Sequence, residues 1–101
     1  MEIGQEFPNL DLSTVCQWMD WAELPDGQSD LKIWLSERLA WMMQNHPERM
    51  MQAFYRLDVS EAKVRQVLAT SDSESWPGLF ADLVIEREKQ RAYWRAKYSK
   101  G

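Results

Sequence analysis

Residues 50–68 read MMQAFYRLDVSEAKVRQVL, and this stretch decides the fold. Met50, Met51, Phe54, Tyr55 and Leu57 recur at helical spacing, with Glu48, Arg49, Gln52 and Arg56 between or before them. The spacing predicts a helix with the first group on its inner face. The pattern breaks at Asp58. Ser60 is the expected N-cap of the next helix, and Glu61 sits in its first turn near the positive end of the dipole. Val59 and Val64 occupy the N′ and N4 positions of a hydrophobic staple, which fixes how the chain enters that helix. Glu61 and Arg65 are spaced for an i,i+4 pair. The stretch therefore reads as a helix, a tight corner, and a second helix reaching about residue 69.

Upstream, Asn45-His46-Pro47 ends one helix and opens the next, with Pro47 at the first helical position, where its missing N–H costs nothing. The preceding helix, residues 31–45, is expected to be capped by Ser29 or Asp30. It is apolar almost all round, through Leu31, Ile33, Trp34, Leu35, Leu39, Ala40, Trp41, Met42 and Met43. A helix without a clean polar face belongs at the centre of its domain or in an oligomer interface, and the monomer core is the favoured reading. Leu24-Pro25-Asp26-Gly27 is a turn signal. Before it, a first helix over residues 12–23, capped by Asp11 or Ser13, places Leu12, Val15, Cys16 and Met19 on one face beside Trp18 and Trp21. Residues 1–10 read as an irregular lead-in pinned by Phe7 and Leu10.

Downstream, TSDSES (residues 70–75) is a polar loop, and Trp76-Pro77-Gly78 opens the last helix. Its first half is apolar (Leu79, Phe80, Leu83, Val84, Ile85). Its second half, EREKQRAYWRAKYSK, is basic with Tyr93, Trp94 and Tyr98 interspersed. Residues 87–101 hold six Lys and Arg against Glu88 alone, whereas residues 1–31 hold seven acids and no Lys or Arg. Six Trp and six Met, with only four Gly and four Pro, leave little turn or strand material in 101 residues. The fold class is all-α: a single domain, residues 1–101, forming a compact bundle of about five helices. Helix two is central, and a basic C-terminal helix (residues 87–101) projects.

Cys16 is the only cysteine, so an internal disulfide is impossible and a reducing, cytoplasmic location is expected. The acidic N-terminus lacks the charge and apolar core of a signal peptide. No apolar run approaches the roughly 18 residues that span a bilayer.

Little here supports catalysis. The one histidine, His46, sits before a proline at a helix junction, with no Cys or His at ligand spacing. Gly-rich phosphate loops, G-x-S-x-G and H-E-x-x-H are all missing. Asp82 and Glu86 read as a solvated face, and Cys16, on an apolar stripe, as a small hydrophobe. No catalytic, cofactor-binding or metal-ligating residue is expected. The expectation is a small, non-enzymatic interaction or regulatory protein that binds another protein or itself, as a homodimer. Its candidate surface is the last helix: Arg87, Arg91, Tyr93, Trp94, Arg95 and Tyr98. A basic helix with aromatics also suits anionic lipid or single-stranded nucleic acid. Packing of Trp94 and Tyr98 back onto the bundle, or onto a second copy, is favoured over both.

Two resemblances bear on the corner. LDVSEAKVRQVL resembles the helix-turn-helix of repressors that read G-V-S-x-x-T-V-S-R-V-L. Val59, Ser60, Val64, Val67 and Leu68 fall at matching positions. That resemblance implies a DNA-reading helix at residues 61–69, with Lys63, Arg65 and Gln66 facing the major groove. Phe54 departs from it where those repressors have a small residue, and Asp58 replaces their turn glycine. More broadly, YRLDVSE (residues 55–61) together with ADLVIEREKQ (residues 81–90) resembles a family of small bacterial proteins. In that family a Y-R-[IL]-D-V-[SN]-E corner precedes an A-D-L-[IV]-I-E-R helix. The resemblance covers the second half of the chain. It implies a cytoplasmic all-helical protein and, the family having no established activity, carries no catalytic residue across.

Overall fold

The computed structural model describes residues 12–21 and 30–98, and the side chains of all of these except Tyr98. Among the described residues the chain forms five α-helices and no strand: α1 (Ser13–Met19), α2 (Leu31–Asn45), α3 (Pro47–Arg56), α4 (Glu61–Thr70) and α5 (Trp76–Tyr98). A 3-10 turn, Ser73–Ser75, leads into α5. The expected lead-in with Phe7 and Leu10, the caps Asp11 and Ser29, the turn at Leu24-Pro25-Asp26-Gly27 and residues 99–101 lie outside the described residues.

The hub is the α2–α5 pair. α2 packs along α5 and against α3, α1 lies on α3, and α4 leans on α5. Leu35, Leu39 and Met42 of α2 meet Phe80, Ala81 and Val84 of α5 in one buried cluster, which α3 joins through Met50, Ala53, Phe54 and Leu57. α2 is central as its composition implies, yet Ile33 and Trp41 stay exposed. The contact arc of one helix is narrower than its whole circumference.

Helix α1 is shorter than expected. It ends at Met19 rather than Glu23, and its N-cap is Leu12, with no side-chain cap. Asp20 adopts the left-handed conformation at φ 63°. Its N–H donates to Gln17 O, and Trp21 N–H donates to Cys16 O. These are the two bonds of a Schellman ending, which supplies partners to the last carbonyls and turns the chain. Cys16 is buried. Asp30, of the two candidates, caps α2 by accepting from Ile33 N–H at 3.1 Å.

The corner in residues 50–68 is built by the same device. Asp58 N–H donates to Tyr55 O, Val59 N–H donates to Phe54 O, and Asp58 has φ 63°. Ser60 Oγ then accepts from Lys63 N–H at 3.3 Å, and both staple residues, Val59 and Val64, are buried. The inner face of α3 is narrower than the sequence reading. Ala53 belongs to it, whereas Met51 and Tyr55 do not, Tyr55 being 74% exposed. Residues 50, 53, 54 and 57 follow the i, i+3, i+4, i+7 stripe, and 51 and 55 lie one residue, about 100°, off it. Glu61 and Arg65, both exposed, form no ion pair among the described residues.

Candidate partner surface

Seen from α5, the residues of interest divide at the point where the helix leaves the body. Phe80, Val84 and Glu88 repeat at i, i+4, i+8 and are all buried, so the core stripe ends in a carboxylate that is only 3% exposed. A buried charge needs an ionic or hydrogen-bonding neighbour. Arg91 Nε lies 3.5 Å from Glu88 Oε2, and Arg91 Nη2 donates to the carbonyl oxygen of Leu57 at 3.0 Å. One turn earlier, Arg87 Nη2 donates to Asp58 Oδ2 at 3.2 Å, and Nη1 donates to Gln90 Oε1 at 3.1 Å. Lys63 Nζ reaches Glu86 Oε1 at 3.3 Å. Four side chains of α5 thus surround the corner, and Phe54 packs edge-on against Phe80 beneath it, ring centroids 5.4 Å apart. Residues 55–61 and 81–90, far apart in the sequence, meet here.

Beyond Arg91 burial falls away among the described residues. Arg91 and Ala92 are half-buried, and every described side chain from Tyr93 to Lys97 is exposed. The ten residues after Glu88 extend about 15 Å at 1.5 Å per residue. Tyr93 is 53% and Trp94 46% exposed. Their rings meet edge-on with centroids 5.2 Å apart, and Lys97 Nζ lies 5.8 Å from the first and 5.6 Å from the second.

The six residues expected to form the partner surface therefore separate. Arg87 and Arg91 are turned back onto the corner and belong to the fold. Tyr93, Trp94 and Arg95 form an exposed tip, to which Lys97 is added. The Tyr98 side chain lies outside the described residues. Trp94 stays outside the buried cluster, the buried stripe having ended at Glu88, six residues before it; of the two packings the sequence reading favoured, onto the bundle or onto a second copy, the second remains. The tip is also electrically distinct. Residues 1–86 hold fifteen acids and six bases, a net charge of −9, and residues 87–101 hold six bases and one acid, a net charge of +5.

On α4, Lys63 is held by Glu86 while Arg65 and Gln66 are exposed. The backbones of α3 and α4 scarcely approach one another past the corner, and each leans on another helix instead. Phe54 directs its ring to α5 rather than leaving room for a close α3–α4 crossing.

A second feature was not foreseen. Asp20, Trp21, Glu37, Arg38 and Trp41 line, among the described residues, a cleft of about 430 Å³ between the end of α1 and the outer side of α2. Trp21 packs edge-on against Trp34 with centroids 5.6 Å apart, and the Arg38 guanidinium sits 5.1 Å over the Trp34 ring. The signal was present in the spacing of Ile33, Glu37 and Trp41, which shows α2 carrying a mixed outer row. Glu88 was legible likewise, four residues after Val84.

Among the described residues, no group of three or more His, Cys, Asp or Glu side chains is placed to hold a metal ion. No described helix is long and apolar enough to cross a membrane. Comparison with protein-family models, with curated proteins and with solved structures finds no match to the chain.

Proposed function

We propose that this is a non-enzymatic interaction module that binds a protein partner through the exposed end of α5. The observation that carries the reading is the exposed cluster of Tyr93 and Trp94 with Lys97 over both rings and Arg95 exposed beside them, beyond the last buried residue of a helix that is otherwise firmly packed. Aromatic and arginine side chains on a preorganised support are the residues that concentrate binding energy at interfaces. The cations select an acidic surface. A body of net charge −9 opposes long contact with nucleic acid or anionic lipid, both of which would place polyanion beside it. A protein partner with a local acidic patch meets only the tip. Cys16 as the single, buried thiol favours a reducing, cytoplasmic setting. Kinship with the small bacterial helical family rests on the two sequence motifs, residues 55–61 and 81–90.

Site-directed cross-linking tests the proposal. Trp94→Cys carries a photoreactive maleimide, and Glu74→Cys, on the exposed 3-10 turn, is the control; the buried Cys16 stays silent. In the producing cells, position 94 is expected to give a discrete protein adduct that position 74 does not. Adding Arg95→Glu and Lys97→Glu should reduce it about tenfold, a loss equal to one decade in affinity. Adducts that are identical at the two positions, or none from position 94, would remove the reading.

A further inference from the structure

The tip of α5 has a chemical counterpart elsewhere on the same chain. The cleft at Asp20, Trp21, Glu37, Arg38 and Trp41 joins two indoles to two carboxylates, and its 430 Å³ lies in the range of pockets that enclose a ligand, about 300–1,000 Å³. Asp20 and Glu37 outnumber Arg38 in the lining, and the Arg38 guanidinium lies over Trp34. Among the described residues Asp20 has one loose cation, Arg49 at 3.8 Å, with both side chains mostly exposed. The neighbouring indoles already accept guanidinium groups within this chain: besides Arg38 on Trp34, Arg56 lies 4.7 Å over Trp18. A cation over an indole face is favoured by the ring quadrupole, more so as water is excluded.

We infer that the occupant of this cleft is the α5 tip of a second copy, Arg95 and Lys97 meeting Asp20 and Glu37 while Trp94 packs against Trp21 and Trp41. The inference rests on the tip being the working surface and names what it binds. Charge complementarity selects this pairing over the alternatives. Two tips packed on each other would set Arg95 and Lys97 of one against the same cations of the other. Within one copy the tip and the cleft do not meet, since no α5 residue lines the cleft among the described residues. The two patches are different, so the contact is heterologous. Each added copy keeps one free tip and one free cleft, and association proceeds as open chains rather than stopping at a closed dimer. An attraction between exposed charges weakens as the Debye length falls from about 8 Å at 0.15 M salt to about 3 Å at 1 M.

Sedimentation velocity on the full chain, from about 1 µM to about 1 mM, covers the affinity range of a small charged contact. The mean sedimentation coefficient should rise continuously with concentration at low salt and return to the monomer value at 1 M salt. Trp94→Ala with Arg95→Glu removes the tip, and Glu37→Arg with Trp41→Ala removes the cleft; all four side chains are exposed, and circular dichroism checks that the helices persist. Each double variant alone should remain monomeric. Mixed in equal amounts, they should form a discrete dimer and grow no further, because one retains the cleft and the other the tip. A wild-type protein that stays monomeric throughout, a mixture that stays monomeric, or association that survives in either double variant overturns the inference. A discrete adduct from position 94 to a different protein, with a monomeric wild type, would overturn it while leaving the tip as the working surface. Absence of any adduct would remove both.

Discussion

Replacing Asp58 tests the corner at its most constrained point. Its φ of 63° places a residue with a Cβ in the left-handed region, at a cost of about 1–2 kcal/mol that Asp and Asn reduce by local hydrogen bonding. Its carboxylate, 81% exposed, faces an Arg87 side chain that is 27% exposed, 3.2 Å away; a pair this open is worth about 0–1 kcal/mol. Asp58→Gly removes the steric cost but forfeits the ion pair. It also adds chain entropy to the unfolded state, worth about 0.4–1 kcal/mol. These effects nearly cancel, so the glycine variant should match the parent to within about 0.5 kcal/mol. Asp58→Ala loses the pair and keeps the full steric cost, so it should fall about 1–1.5 kcal/mol below the parent. Asp58→Asn keeps the tolerance and loses only the charge, and should cost no more than about 0.5 kcal/mol. Urea titration followed by tryptophan fluorescence resolves the order. With a slope of about 1–3 kcal/mol per molar, the glycine and alanine midpoints should differ by about 0.3–1.5 M. An alanine variant as stable as the glycine variant, with unchanged slope, would refute the claim that left-handed geometry is what this corner demands.

Arg91→Ala should destabilise the fold by about 2 kcal/mol, less than the 3–5 typical of a fully buried pair because Arg91 is partly solvated, and Glu88→Leu with Arg91→Leu should recover most of it. Trp94→Ala, three residues on, should change stability by under about 0.5 kcal/mol, and equal losses at 91 and 94 in urea titrations would erase the boundary between fold and tip. Gly78→Ala should stabilise the fold by up to about 0.5 kcal/mol and so raise the urea midpoint, because its Cβ would meet only Lys32 Cε at 3.8 Å and Ser36 Oγ at 4.0 Å while helix propensity improves. Mixed-sequence duplex at low salt should give no anisotropy change up to about 100 µM protein, the weak end of non-specific affinity. Salt-sensitive binding abolished by Lys63→Glu with Arg65→Glu would restore α4 as a DNA-reading helix.

The parts of the fold that were legible in the sequence are those with a local physical code. Ser60, Val59 and Val64 specify a cap and staple within six residues, and Pro47 and Asp30 mark helix starts in the same way. What was not legible depends on partners far along the chain. No spacing rule reveals that Asp58 faces Arg87 or that Leu57 O accepts from Arg91, and so those arginines read as surface charge. Met51 and Tyr55 were misplaced for a different reason. Counting apolar residues overstates a helical face, since two residues at i+1 from the stripe are as apolar as those on it. The end of α1 was missed because Asp20 rather than Gly takes the left-handed position, which lacks the usual compositional mark.

Arg87, Arg91 and Arg95 form a single row along α5, four residues apart, so all three face the same side of the helix. The first two find the corner beneath them, and the third does not. The same side chain at the same angular position thus changes role within two turns, and the only variable is where the body of the protein ends. That end is set by Glu88, the last buried residue of the stripe, whose charge both stops the apolar core and recruits Arg91. Moving that boundary should move the exposed tip with it. Were the stripe continued by an apolar residue at position 92 with further support from α3, Trp94 and Arg95 would be drawn toward the body and lost to any partner. The corner in residues 50–68 therefore bears on the proposed surface indirectly: by holding Arg87 and Arg91 it fixes how much of α5 stays exposed.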